Sequence, residues 1–81
     1  DYDKARDLFT KAAQQKNASA QYQLGLMYFK GKGVAIDNVA ALKWLILAGD
    51  YDDAVTYSKY AESQMSANEI EDAKAQAARA K

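Results

Sequence analysis

Hydrophobic residues recur every three or four positions over most of the chain, not at every second position. That spacing puts apolar side chains on one face of an α-helix. Proline is absent and glycine occurs only four times, so residues that interrupt helices are few. We therefore predict an all-α fold of about five helices, at residues 1–16, 18–30, 38–48, about 51–64, and from 66 to about 80.

Short polar residues at the predicted boundaries fit helix caps. Asp37 stands directly before the third helix, where its side chain can accept a hydrogen bond from an unpaired backbone amide. Ser66 and Glu69 have the spacing of a capping box at the start of the last helix. Asn17 fits either the end of the first helix or the cap of the second.

The predicted helices differ in how much of their circumference is apolar. The first and last carry charge on their outer faces, whereas the second is apolar nearly all round. A helix of the second kind either packs between neighbours or leaves one face for a partner. The predicted buried positions are Ala5, Leu8, Phe9, Ala12, Ala13, Leu24, Tyr28, Ala41, Trp44, Leu45, Ala48, Ala54, Tyr57, Tyr60, Ala61, Ile70, Ala73 and Ala77.

The chain repeats itself when it is shifted by 36 residues. The shift aligns Asp1 with Asp37, Ala5 with Ala41, Leu8 with Trp44, Phe9 with Leu45, Ala12 with Ala48 and Ala18 with Ala54. Small residues fall on small residues, and large apolar residues fall on large apolar residues. A helix-turn-helix period of that length indicates stacked hairpins, each of which buries its apolar face against its neighbours.

The central segment carries the pattern A-x-Y-x-L-G-L-M-Y-x-x-G-K-G-V-x-x-D-x-x-A-A-x-x-W-x-x-x-A-G-D, from residue 20 to residue 50. This pattern resembles one complete Sel-1-like repeat, a relative of the tetratricopeptide repeat. The resemblance implies a right-handed α–α superhelix of antiparallel helical hairpins with a terminal capping helix. It also implies three parts: the second helix of a preceding repeat (1–17), a complete repeat (18–50), and a degenerate final helix with a C-terminal cap helix (51–81).

The resemblance further implies which faces of the second helix are used. Leu24, Gly25 and Tyr28 would pack against the partner helix, and Gly25 would allow the two backbones to approach closely. The opposite face would line the concave groove of the repeat array. The groove residues expected on that basis, with their equivalents one period on, are Ser19, Tyr22, Leu26, Phe29, Val55, Ser58 and Glu62. The alternative is that flanking repeats or a second copy of the chain bury this face.

Charge and residue types argue against several function classes. Lys plus Arg and Asp plus Glu number 11 each, so there is no basic excess for binding nucleic acid. No apolar run approaches the ~20 residues of a membrane-spanning helix. Histidine and cysteine are absent, and with them the commonest catalytic bases, nucleophiles and transition-metal ligands. We predict no catalytic residue, no cofactor and no metal site.

Two short motifs lack the residues of the phosphate-binding and calcium-binding loops. The loop Gly31-Lys32-Gly33-Val34 has neither the glycine spacing nor the following Ser or Thr of a phosphate-binding loop, which favours an interhelical turn. The acidic run 50–53 lacks the glycine and glutamate of a calcium-binding loop, since Val55 and Ala61 stand at those positions.

The predicted function is a non-catalytic adaptor that binds a peptide or partner helix in the groove. The alternative is a structural or spacer module that self-associates through the first helix of the chain. Its apolar stripe of Leu8, Phe9 and Ala12 lacks the partner helix that would complete the hairpin. A small enzyme or ligand carrier with a tyrosine-lined pocket is a third hypothesis. Because the sequence begins at Asp1 without methionine, we expect a segment of a longer protein. The bacterial envelope, the periplasm and the cytoplasm all remain open.

Overall fold

The computed structural model describes residues 2–80, which form five α-helices joined by turns, with no strand in that range. The helices are α1 (Tyr2–Gln14), α2 (Ala18–Lys30), α3 (Asn38–Ala48), α4 (Ala54–Glu62) and α5 (Ala67–Ala80). The all-α prediction is confirmed, and the limits of α2 and α3 agree with those predicted. Asp1, which was predicted to start the first helix, and Lys81 lie outside the described residues.

The predicted helix caps form hydrogen bonds. The Asn17 side chain accepts from the Ala20 amide at 3.0 Å, so Asn17 caps α2. Asp37 Oδ1 accepts from the amide of residue 40 at 3.1 Å and caps α3. At α5 the capping box is reciprocal: the Ser66 amide donates to Glu69 Oε1 at 2.9 Å, and the Glu69 amide donates to Ser66 Oγ at 3.2 Å.

Helix α4 is shorter than predicted, because its expected first turn is not helical. Gly49 and Asp52 have φ angles of 67° and 48°, in the left-handed region that interrupts a right-handed helix. The chain between them forms tight turns, in which the Ala54 amide donates to the Tyr51 carbonyl at 3.0 Å. The prediction of a helix from Tyr51 is therefore wrong, and α4 begins three residues later.

The central unit is the hairpin of α2 and α3. Tyr22 near the start of α2 packs in one cluster with Ala48 at the end of α3, and Phe29 near the end of α2 packs with Leu42. The order of contacts reverses, so the two helices are antiparallel. A Cβ atom on Gly25 would lie only 2.7 Å from Leu45 Cγ. The backbones approach this closely because residue 25 has no side chain, as predicted.

The other helices pack around this hairpin. The Gln21 side chain donates to the Ala13 carbonyl at 3.2 Å and ties the end of α1 to the start of α2. On the other side α5 covers α3, where Ala73 packs in one cluster with Leu42 and with Ala61 of α4. Helix α3 is therefore buried on two faces, by α2 and by α5.

Burial differs from the prediction at several positions, among them Leu42, Leu8 and Tyr60. Leu42 is fully buried but was not among the predicted core residues. The prediction gave α3 a single buried face, whereas α2 and α5 cover two of its faces. Leu8 is 68% exposed and Tyr60 is 55% exposed, although both were predicted to be buried. Each lies at the edge of its helix's apolar stripe, where no neighbouring helix in the described chain covers it.

We predict that Gly25→Leu lowers the free energy of unfolding, measured by chemical denaturation, by about 1–3 kcal/mol or more. The new side chain has no space, because Leu45 is fully buried and cannot move aside. Ser19→Leu, on the exposed face of the same helix, is the matched control and should change stability by no more than about 0.5 kcal/mol. Equal effects of the two substitutions would contradict the close-approach model.

Candidate functional site

The residues predicted for the partner groove lie on α2 and α4 and differ in accessibility. The exposed members are Ser19 and Val55, the half-buried members are Leu26, Phe29, Ser58 and Glu62, and the buried member is Tyr22. We call the six accessible residues the α2/α4 surface. All six keep side-chain area that a partner could contact.

Tyr22 does not project from this surface. It is 6% exposed and packs in one cluster with Leu45 and Ala54. Its ring centroid lies 5.6 Å from that of Tyr51 and 6.3 Å from that of Tyr57. The predicted exposure of Tyr22 is wrong, because the turn before α4 and the first turns of α4 cover it.

Tyr57 joins the two helices of the surface. Besides Tyr22, its ring meets Phe29 edge-on at 5.8 Å and Tyr60 at 5.9 Å. Aromatic pairs of this geometry contribute about 0.5–1.5 kcal/mol each beyond the area they bury. The Lys30 ammonium lies 5.5 Å from the same ring centroid, within cation–π range. Sequence reasoning predicted that Tyr57 is buried but not that it packs among the aromatic residues of α2.

A cavity of about 300 Å³ opens between α1 and α2. We call it the anchor cavity; its lining residues are Tyr2, Ala5, Phe9, Gln23, Leu26, Met27, Lys30 and Lys32. Leu26 is the one predicted groove residue that lines it. The other lining residues were not predicted, because the groove was assigned to α2 and α4 alone and the apolar side of α1 was assigned to the core.

The glycine loop between α2 and α3 ends a helix. The amides of Gly31 and Lys32 both donate to the Met27 carbonyl, at 2.8 and 3.0 Å. Gly31 has a φ of 72°, the left-handed conformation of a helix C-cap. These two amides point back into α2 and are not free to bind a phosphate, so the prediction of a turn is confirmed.

Over the part of the chain that is described, no three Asp, Glu, His or Cys residues are grouped so that they could hold a metal ion. Within the same residues no helix is long and apolar enough to cross a membrane. The accessible features of the site are therefore apolar and aromatic side chains, two lysines and a polar margin.

Burial raises the pKa of the Tyr22 phenol above its ordinary value near 10, and the carboxylates of Asp52 and Asp53 and the Tyr57 phenol raise it further. Hydrogen bonding with the backbone of residue 53 opposes this in part. The folded chain therefore holds the phenolic proton more tightly than the unfolded chain does.

From this we predict a loss of stability at high pH. The contribution of the Tyr22 phenol to the free energy of unfolding is complete below its pKa in the unfolded chain, ~10. It is lost as the pH rises through the higher pKa in the folded chain. Urea unfolding between about pH 8 and 11 should show a smaller decline for Tyr22→Phe than for the wild type. Tyr60→Phe, which alters an exposed ring, should follow the wild type. Identical declines in all three proteins would contradict the assignment.

Comparison with protein families gives a match to the Sel1 repeat over residues 1–17 and 18–53. Comparisons with curated proteins and with solved structures return no match. Sel1 repeats are helical and generally mediate protein–protein interaction, typically without catalysis. The family match covers more than half of the sequence and agrees with the helical hairpins described above, so the chain belongs to the Sel1 repeat family.

Proposed function

We propose that this chain is a non-catalytic adaptor module that binds a peptide or a helix of a partner protein on the α2/α4 surface. The general role of Sel1 repeats in protein–protein interaction supports this proposal. The observation that carries it is the accessible apolar area at Leu26 and Phe29 on α2 and at Val55 on α4, which is 50% exposed.

The arrangement of side chains suits a protein partner. The surface combines the apolar side chains of Leu26, Phe29 and Val55 with the polar side chains of Ser19, Ser58 and Glu62. Protein interfaces combine a desolvated apolar centre with a polar rim, and aromatic side chains contribute a large share of their binding energy. A peptide or an amphipathic helix can lay its apolar face on such a surface.

The proposal includes an assignment of the chain to parts of a repeat array. Residues 1–17 are assigned to the second helix of one repeat, 18–50 to a complete repeat, and 51–81 to a degenerate final helix with a C-terminal cap helix. Support comes from α5, which buries the small side chains of Ala73 and Ala77 and carries exposed polar and charged residues on its remaining faces.

We predict that Val55→Asp lowers the affinity for peptides selected on this chain from a random display library by at least tenfold, about 1.4 kcal/mol. The aspartate replaces an exposed apolar side chain of the surface by a charge, yet it lies in the first turn of α4, where a negative charge favours the helix. Fluorescence anisotropy gives the affinity, and circular dichroism shows whether the fold is kept.

The matched control is Leu8→Glu, which also replaces an exposed apolar residue by a carboxylate but lies on α1, outside the α2/α4 surface. It should bind the selected peptides as the wild type does. Failure of the library to yield any binder, or equal binding by wild type and Val55→Asp, would contradict the proposed function.

A second candidate function is self-association as a structural or spacer module. The observation in its favour is Leu8, which is 68% exposed on α1 and offers apolar surface to a second copy. For this function, light scattering over a concentration series should show a dimer or larger species for the wild type and a monomer for Leu8→Glu. A wild-type chain that stays monomeric at every concentration would refute this candidate.

A further inference from the structure

We infer that the anchor cavity takes one apolar side chain of the partner segment, and that Lys30 and Lys32 pair with an acidic residue beside it. This rests on the proposed function, since it requires that the chain binds a protein segment. It specifies the chemistry of that segment: a large apolar residue with a neighbouring aspartate or glutamate.

The size and lining of the cavity favour a single side chain. Its volume of about 300 Å³ is at the lower end of the ~300–1,000 Å³ typical of small-molecule sites. Its apolar lining consists of Tyr2, Ala5, Phe9, Leu26 and Met27. Burying a leucine, phenylalanine or methionine side chain in such surroundings is favourable by about 1.5–3 kcal/mol.

The polar lining sets the sign of the partner's charge. Among residues 2–80, the polar side chains that line the cavity are Lys30, Lys32 and Gln23, and no carboxylate of that range lines it. Among the described residues the ion pairs join Arg6 to Asp3 and Asp7, and they involve neither lysine. An acidic segment would therefore be attracted to the cavity, and a basic one repelled.

Lys30 lies between the anchor cavity and the α2/α4 surface. It is the last residue of α2, and its ammonium lies against the Tyr57 ring while it also lines the cavity. A carboxylate bound to Lys30 is thus next to the α2/α4 surface. A partner segment can place its anchor in the cavity and continue over Phe29.

Acidic residues lie near the other end of α2. Asp52 and Asp53 act electrostatically on the Tyr22 phenol, and Tyr22 precedes Lys30 on α2 by eight residues, ~12 Å at the rise of an α-helix. The two lysines and the two aspartates therefore lie near opposite ends of α2. A uniformly acidic peptide meets repulsion at the second end, so the inference calls for an acidic residue near the anchor and not for a polyacidic tract.

Synthetic peptides of about 12 residues test the inference, each with one phenylalanine in a Gly/Ser background and with Glu, Ser or Lys on both sides of it. A segment of that size crosses the ~12 Å between the two ends with residues to spare. Fluorescence anisotropy should show the Glu-flanked peptide binding at least tenfold more tightly than the Lys-flanked one. This preference should weaken as salt is raised, because the lysines are solvent-accessible.

Three variants show where the peptides bind. In Lys30→Glu/Lys32→Glu the order of the Glu- and Lys-flanked peptides should reverse. Lys74→Glu/Arg79→Glu makes the same change of net charge on the exposed face of α5 and should keep the wild-type order. In Ala5→Leu the added side chain fills the anchor cavity and should weaken all three peptides. Circular dichroism of each variant confirms that it is folded.

The outcomes separate the two proposals. If display-selected peptides bind and are sensitive to Val55→Asp but prefer basic or neutral flanks, or ignore the reversal of Lys30 and Lys32, the inference is overturned and the proposed function stands. If neither the selected nor the designed peptides bind, both are overturned. Tight binding of the Glu-flanked peptide that is lost in Lys30→Glu/Lys32→Glu and kept in Lys74→Glu/Arg79→Glu supports the inference.

Discussion

The close approach of α2 and α3 at Gly25 is the contact on which the rest of the structure depends. Because Gly25 has no side chain, Leu45 lies directly against the α2 backbone and is fully buried. That proximity brings Tyr22 and Phe29 onto α3 at either side of the glycine. Because one face of α3 packs against α2, Leu42 lies on another face, which α5 covers.

The position of α4 decides which part of α2 remains accessible. Left-handed residues at Gly49 and Asp52 delay the start of α4, and the turns between them place Tyr51 beside Tyr22. The first half of α2 is covered as a result, and the accessible apolar area moves toward Leu26 and the anchor cavity. The accessible apolar side chains of α2 that were predicted to line a groove are therefore Leu26 and Phe29, both in its second half.

Most of the fold was predictable because its determinants are local. Asn17, Asp37 and Ser66 act through hydrogen bonds to amides three residues away, so the sequence around each cap contains the whole signal. Leu42 and Tyr22 were misjudged for the opposite reason. Whether each is buried depends on a helix distant in sequence, α5 in one case and α4 in the other, and helical periodicity gives no information on where those helices pack.

The candidate surface, too, could be predicted from the sequence only in part. Val55, Ser58 and Glu62 were identified from an internal repeat of 36 residues, which relates positions along the chain but not their surroundings. The anchor cavity needs side chains from both α1 and α2, and a repeat alignment that treats each hairpin separately cannot predict it. The net charge of zero is equally uninformative, because a sum over the whole chain does not show that Lys30 and Lys32 line one cavity while Asp52 and Asp53 lie near Tyr22.

A single helix, α2, supplies both the core and the accessible surface. Leu24 packs with α1, Gly25 lies against α3, and Phe29 contacts both the α3–α5 cluster and Tyr57. A substitution at Phe29 would thus change stability and binding together, and binding data on that variant alone could not separate the two. The positions that can report on binding alone are those with little packing of their own, such as Val55 and Lys32, and the partner's chemistry must be established from them.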